Sequence, residues 1–458
     1  MKTFDLAIIG AGPCGYTAAE RAATRGLSVV LFEQKTVGGV CLNEGCIPTK
    51  TLLYSAKVYE TAVNGSKYGV TVSGAAVDYR KMVERKNRVV RRLVGGVSAR
   101  MKVHGVEVVT GHAHIEGRTD EGFVVSCGSE SYRAKTLLIA TGSRTAVPAI
   151  AGIETAADRA MTHRELLTLT ERPERLVVIG GGVIGMEFAS LFHTLGAQVT
   201  VIEMLDKILG PMDRELSEQL QESYAKRGMA FHLRSAVTEI DGDRVIFRTP
   251  EGELRTVQGD KILLSVGRKR NTEGFGLENI GVELDGDRIR VNSQMQTNVP
   301  GVYAAGDVAG EFLLAHTAIR EAEVVVNHLT GGSDRMSYTA VPAVVYTNPE
   351  MASVGLTEAL ARAQGIATRT LKLPMTYSGR FMAENEGVNG LCKVLIDPDS
   401  ERLLGVHLLG NPAGELISTA ALAIEHNLTV NELQKLIFPH PTVSEILKEV
   451  LYSENVSR

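Results

Sequence analysis

The chain has 458 residues, 49 Lys plus Arg against 53 Asp plus Glu for a net charge of -4, and 44% hydrophobic residues. At roughly 150 residues per domain this length predicts about three domains, and a near-neutral chain without a concentrated basic run argues against nucleic acid as a partner. No uncharged apolar run reaches the roughly 18 residues of a spanning helix, and five Cys are too few and too odd in number for a secreted disulfide framework.

The first element is an apolar strand over Phe4 to Ile9, so close to Met1 that no leader fits before it, and the expected compartment is the cytoplasm. Gly10, Gly12 and Gly15 follow, then an Ala-rich helix, Thr24, Gly26, a strand over Ser28 to Phe32, and Glu33. Next comes the segment Gly38 to Lys50, with Cys41 and Cys46 separated by four residues. Tyr79 to Lys102 is basic and helical in pattern, which reads as a solvated helix face. Short strands are predicted at Val106 to Thr110, Phe123 to Cys127 and Lys135 to Ile139, the last ending in Ala140-Thr141-Gly142. Pro148, Gly152 and Pro173 punctuate a crossing into a second unit. That unit repeats the first: a strand over Leu176 to Ile179, Gly180, Gly182, Gly185, a helix, Thr194, Gly196, a strand over Gln198 to Ile202, and Glu203. A strand over Lys261 to Ser265 ends it at Val266-Gly267-Arg268, and from about Tyr338 the pattern changes to strands followed by helices, a separate α+β domain.

Each landmark of the first unit recurs 170 residues later. A lone G-x-G-x-x-G is often an ordinary turn, but two copies in strand-turn-helix-strand context, each closed by an acidic residue, predict two dinucleotide sites. The first Gly makes the tight turn, the second lets backbone N–H groups approach a pyrophosphate, and the third allows close helix packing. Glu33 and Glu203 are placed to accept hydrogen bonds from adenosine ribose hydroxyls. Cys41 and Cys46 have three readings: metal ligands, free thiols, or a reversible disulfide. Zinc needs four ligands and Cys14, Cys127 and Cys392 supply no second pair, so no metal is expected. Beside two dinucleotide units, a disulfide exchanging two electrons with a cofactor is the sharper reading.

Taken in order, the two Gly motifs, the C-x4-C, Ala140-Thr141-Gly142, Gly301 to Val308, Val341 to Gly355 and Pro439 to Glu445 resemble the flavin-dependent pyridine nucleotide-disulfide oxidoreductases, and among them the branch that oxidises dihydrolipoamide. The resemblance implies an α/β fold of two Rossmann-like domains, FAD on the first and NAD on the second, with a C-terminal α+β domain that makes a homodimer. The implied boundaries are 1–147 for the FAD domain, 148–268 for the NAD domain, 269–337 for a central segment completing the FAD domain, and 338–458 for the dimerisation domain. It further implies Cys41 as the exchange thiol and Cys46 as the flavin-facing one, Lys50 and Glu187 as an ion pair beside the flavin, and Asp307 on the ribityl chain. Gly142, Ala315 and Gly267 join the cofactor-binding positions. His440 matches the family's base and Glu445 its orienting carboxylate, although Thr442 and Glu445 also fit a helix-capping box. His112 and His114 have strand spacing that would put both on one face, a polar face without a third ligand.

The expected activity is oxidation of a dihydrolipoyl group by NAD+, with lipoyl-bearing carrier proteins of 2-oxoacid dehydrogenase or glycine cleavage systems as partners, and no membrane or nucleic acid. Glutathione reductase is disfavoured by Glu203 and by Met204-Leu205-Asp206, which carry no Arg cluster for a 2'-phosphate. Mercuric reductase is disfavoured because no Cys follows Cys392. A non-catalytic NADH-sensing or scaffold subunit is the rival of another class. Arg320-Glu321-Ala322 departs from the family's usual acidic stretch and Gly, which bears on local packing.

Overall fold

A computed structural model describes residues 1–156 and 158–455. The chain forms two compact units, one of 1–51, 83–146 and 267–337, the other of 52–82, 147–266 and 338–458. In the first unit, β1 (Lys2–Ile9) leads through Gly10 to Gly12 into α1 (Pro13–Thr24) and β2 (Val29–Glu33). The short α2 (Gly39–Glu44) and the long α3 (Cys46–Val63) follow, and α3 runs on into the second unit's stretch of chain. The basic α4 (Tyr79–Val103) turns Arg88, Arg91 and Arg92 outward and ends ahead of β3 (Glu107–Thr110). The meander β4 (Ala113–Thr119), β5 (Gly122–Cys127) and β6 (Glu130–Ile139) precedes β7 (Ser143–Thr145).

The main sheet runs β3-β2-β1-β6-β5-β4, with β1, β2, β3 and β6 parallel. Its strands are apolar because both faces are covered: Leu6, Ile8, Val30, Leu31, Leu137 and Leu138 are wholly buried. The chain runs outward from β1 to β2 and β3 and returns on the other side at β6, and such a reversal leaves a crevice at the strands' carboxyl ends. His112 just precedes β4 and His114 lies within it; both side chains lie on the open side while Ala113 and Ile115 are buried, and His114 Nδ1 lies 3.3 Å from Glu116.

The second unit repeats this plan. After β8 (Ala160–Met161) and the one-turn α5 (His163–Leu166) come β9 (Arg175–Ile179), α6 (Val183–Thr194), β10 (Gln198–Ile202), α7 (Arg214–Lys226) and β11 (Ala230–His232). An antiparallel meander, β12 (Ala236–Asp241), β13 (Arg244–Arg248) and β14 (Leu254–Gln258), precedes β15 (Lys261–Leu264). The parallel sheet is ordered β11-β10-β9-β15-β8, reversing between β9 and β15.

The chain then returns to the first unit as β16 (Arg268–Arg270), a small hairpin of β17 (Leu284–Asp285) and β18 (Arg288–Ile289), β19 (Val302–Ala304) beside β6, and α8 (Ala315–Leu329) against α1. At Arg320-Glu321-Ala322, Ala322 and Glu321 are wholly buried and Glu321 accepts the Gly306 N–H at 2.6 Å, while Arg320 reaches Asp334 at 2.6 Å. From β20 (Ala343–Val345) the second unit resumes with an antiparallel sheet, β20-β21-β24-β23-β22, whose other strands are β21 (Met351–Gly355), β22 (Arg369–Pro374), β23 (Leu391–Ile396) and β24 (Leu403–Leu409). Among the described residues no helix is long and apolar enough to cross a membrane.

Candidate active site

The two Gly loops are alike in detail. A Cβ on Gly10 would stand 2.3 Å from the Ala140 carbonyl oxygen and one on Gly15 1.8 Å from the Gly10 oxygen, so the chain's own packing forbids a side chain at either. In the second loop Gly180 would meet the Ser265 oxygen at 2.5 Å and Gly185 the Gly180 oxygen at 2.0 Å. The middle residues differ. A Cβ on Gly12 would meet only the Gly39 Cα, at 4.0 Å, and one on Gly182 nothing within 4 Å. Their φ angles are -73° and -71°, which any residue adopts. Each is the N-cap of a twelve-residue helix and neither end carries a side-chain cap. No contact within the chain calls for glycine at either position. The open space, free N–H groups and positive end of each helix suit the approach of an anionic group.

The acidic residues close each loop identically. Glu33 accepts N–H bonds from Ala11 and Lys35, both at 2.9 Å, and Glu203 accepts from Gly181 at 2.6 Å and Leu205 at 2.8 Å. Both carboxylates are therefore fixed beside their Gly loops. Arg214, which the fold brings to Asp206 at 2.8 Å, is engaged there and by Glu218, and the charge of Arg234 also acts on Asp206. Gly142 and Gly267 adopt positive φ, 68° and 126°, at the ends of the strands neighbouring β1 and β9. Ala315 opens α8, and Asp307 accepts a hydrogen bond from the Ser143 hydroxyl.

Cys41 and Cys46 lie five positions apart, which on one continuous helix would turn them about 140° from each other. Gly45 breaks the helix between α2 and α3, and the two thiols meet: Cys41 hydrogen-bonds Cys46. The pair stands as two thiols, the reduced form of the reversible disulfide that the sequence reading expects. The Cys46 contact, with burial second, raises the Cys41 thiol well above its ordinary range, while the charge of Lys50 pulls the other way. Lys50 sits in the second turn of α3. Cys46 is the first residue of that helix, at its positive end.

Glu187, in the second unit, is 3% exposed and accepts the Tyr346 N–H at 3.1 Å, so it is no solvated helix-face charge. At the C-terminal end, Glu445 does two things at once. Its Oε2 accepts the Thr442 N–H at 2.9 Å, closing the capping box, and its Oε1 lies 2.9 Å from His440 Nδ1. The Thr442 N–H and then His440 hold the Glu445 carboxyl below its ordinary range. A carboxylate accepts only, so Nδ1 carries a proton, and in the neutral ring this leaves the lone pair on Nε2. The His440 side chain is 82% exposed in the single chain, beside Ile437 at 96%. The helix that this capping box starts is a single α-turn, Ile446–Glu449, between 3-10 pieces. The fold also brings Ser143, Arg268 and Arg270 to the turn that carries Asp307, which sequence reasoning does not single out; the strand endings Ala140-Thr141-Gly142 and Val266-Gly267-Arg268 are the available signal.

Two dinucleotide cradles and a contacting pair of thiols next to the first of them define a flavin- and NAD-dependent oxidoreductase. The chain belongs to the pyridine nucleotide-disulphide oxidoreductase family, whose model matches residues 4–322, and the family's dimerisation domain matches residues 341–451. Among its relatives, the dihydrolipoyl dehydrogenase of Thermus scotoductus is 41% identical over 456 residues, covering 98% of this chain and 97% of the relative. That of Bacillus subtilis is 37% identical over 461 residues, covering 97% of each. Among solved structures, LpdA from Mycobacterium tuberculosis is similar at 27% identity with a TM-score of 0.89 over 99% of this chain and all of that one. The HOCl-induced flavoprotein disulfide reductase RclA from Escherichia coli is similar at 28% identity, with a TM-score of 0.86 over 98% of this chain and 99% of that one.

Proposed function

We propose that this protein oxidises protein-bound dihydrolipoyl groups to lipoyl groups with NAD+ as acceptor. The observation that carries the reading is the contact between Cys41 and Cys46 at the positive end of α3, next to an uncapped glycine-lined loop. In the oxidised enzyme these residues form a disulfide. One substrate sulfur attacks Cys41, displacing Cys46 as a thiolate, and the second substrate sulfur then displaces Cys41, leaving lipoyl and a dithiol. Two electrons and two protons leave the substrate. Bound FAD supplies the two-electron step between the dithiol and NAD+.

The chain's residues have these roles. His440 takes the thiol proton at Nε2, and Glu445 holds the tautomer that leaves this nitrogen free. Lys50 supplies positive charge near the dithiol and the flavin, with Glu187 as counter-charge. Gly10, Gly12, Gly15, Glu33, Gly142, Asp307 and Ala315 hold FAD; Gly180, Gly182, Gly185, Glu203 and Gly267 hold NAD. The four segments 1–147, 148–268, 269–337 and 338–458 act as FAD domain, NAD domain, central segment and dimerisation domain. The protein works as a cytoplasmic homodimer serving lipoyl carriers of a 2-oxoacid dehydrogenase or glycine cleavage system. A steady-state comparison of dihydrolipoamide, glutathione disulfide and mercuric ion tests the substrate. Dihydrolipoamide is expected to exceed the others in kcat/KM, and absence of its turnover would leave the scaffold reading.

A further inference from the structure

The chain leaves the first unit after Ala146 and re-enters it at Gly267, and the two crossings are paired: β7 runs antiparallel to β16, with Ser143 opposite Arg270 and Thr145 opposite Arg268. Arg268 and Arg270, two residues apart, point to one face of β16. Both reach the turn that carries Asp307, from opposite ends. Arg268 Nε donates to Ser143 Oγ at 2.6 Å and its Nη2 to the Ser143 carbonyl at 2.7 Å. The Ser143 hydroxyl in turn donates to Asp307, and Arg268 Nε lies 3.7 Å from the same carboxylate oxygen. Arg270 Nη2 donates to the Gly310 carbonyl at 3.2 Å while its Nη1 pairs with Asp287 at 3.0 Å.

The arrangement is largely shielded: the Arg268 side chain is 14% exposed and Arg270 19%. Charge also favours it. Glu321, wholly buried, binds the Gly306 N–H, so two carboxylates share this turn and need a nearby cation. A planar guanidinium forked onto one residue's hydroxyl and carbonyl fixes orientation in a way that a lysine ammonium does not.

We propose that Arg268 and Arg270 clasp the Gly306 to Gly310 turn and that Arg268, through Ser143, is a positioning residue for the Asp307 carboxylate. Flavin retention then depends on the paired crossings as well as on the Gly loop. The inference rests on the reading that Asp307 holds FAD.

The test is the rate of FAD release from holoenzyme, followed as the rise in free-flavin fluorescence on dilution, with far-UV circular dichroism to verify the fold. Arg268→Lys and Ser143→Ala are each expected to speed release by about tenfold or more, and so is Asp307→Asn. If Arg268 acts through Asp307, adding Arg268→Lys to Asp307→Asn changes release little further, whereas a merely structural role predicts multiplied effects. Multiplied effects overturn the proposal. So does unchanged release in Arg268→Lys and Ser143→Ala while Asp307→Asn accelerates it. Unchanged release in Asp307→Asn overturns the flavin role of Asp307 itself, and the clasp with it.

Discussion

Cys41 is the residue on which the chemistry turns, and its environment holds it protonated. The thiolate is the species that attacks or is alkylated, so a thiol raised by its Cys46 partner and by burial reacts slowly at neutral pH. Alkylation of Cys41 in the reduced enzyme by iodoacetamide, read from the mass of its peptide, is expected to keep climbing with pH beyond about 8.5, the ordinary thiol value; a plateau near neutrality at Cys41 would contradict this. In the proposed reaction the attacking thiol is the substrate's, and it too must give up its proton to a base. His440→Ala is therefore expected to lower lipoamide turnover by about 10²- to 10⁴-fold, while NADH oxidation by an acceptor that draws electrons from the flavin survives. Equal loss of both activities would mean general damage rather than loss of a base. At the other cradle, the proposed role of Glu203 sets its fixed carboxylate against a 2'-phosphate, so NAD is expected to exceed NADP in kcat/KM by on the order of 100-fold. Equal efficiency would remove Glu203 from the nucleotide site. The Gly loops and their acidic ends were legible in the sequence because each lies within one local strand-turn-helix unit. The Arg268 and Ser143 contact was not, because the two are 125 residues apart and only the sheet brings them together.

Among the elements, the C-terminal sheet contains a feature that strand patterning gives no hint of. Lys393, in β23, is 1% exposed and pairs with Asp213 at 3.0 Å, Glu358 at 2.7 Å and Glu215 at 3.2 Å. Burial works against its ammonium charge, yet the bonds to Glu358 and Asp213 outweigh it and raise the pKa. Asp213 is also the N-cap of α7, accepting the Leu216 N–H, so one buried cation ties that helix to the sheet. Lys393→Met leaves Asp213 charged and unpaired, and should lower stability by about 3 kcal/mol, the low end for a broken buried pair because the two Glu partners are partly exposed. The double variant Lys393→Met with Asp213→Asn should recover part of the loss. Thermal unfolding of the three proteins measures it, and an unchanged midpoint in the single variant would refute the tie. A sequence reading sees Lys in an apolar strand as an outward-facing position; the partner lies 180 residues earlier.

At the scale of the whole molecule, the alternation of Gly turns, strands and helices made the two-nucleotide α/β architecture readable, since each unit repeats a local pattern. What that pattern leaves open is how Cys41 and His440, which fall in different units, would act on one substrate as proposed. The dimer reading gives an answer in which each site takes Cys41 from one chain and His440 from the other. Cys41→Ser and His440→Ala homodimers would each be inactive with lipoamide. Co-refolding equal amounts should make about half the dimers mixed, each with one intact site, and recover on the order of a quarter of wild-type activity. Activity that stays at the level of the separately refolded variants, despite demonstrated mixed dimers, would defeat the shared site.

The bare N-caps at Gly12 and Gly182 set selection for robustness against selection for activity. Serine at either position fits the observed backbone and could cap the helix with its own hydroxyl, a gain of a few tenths of a kcal/mol over glycine. The same hydroxyl would take up an N–H meant for the pyrophosphate and crowd its approach. A library of variants sorted by heat resistance alone should therefore accumulate serine at these two positions and lose nucleotide binding as it does so, so the same two positions would be flagged as improvable by one screen and as intolerant by the other.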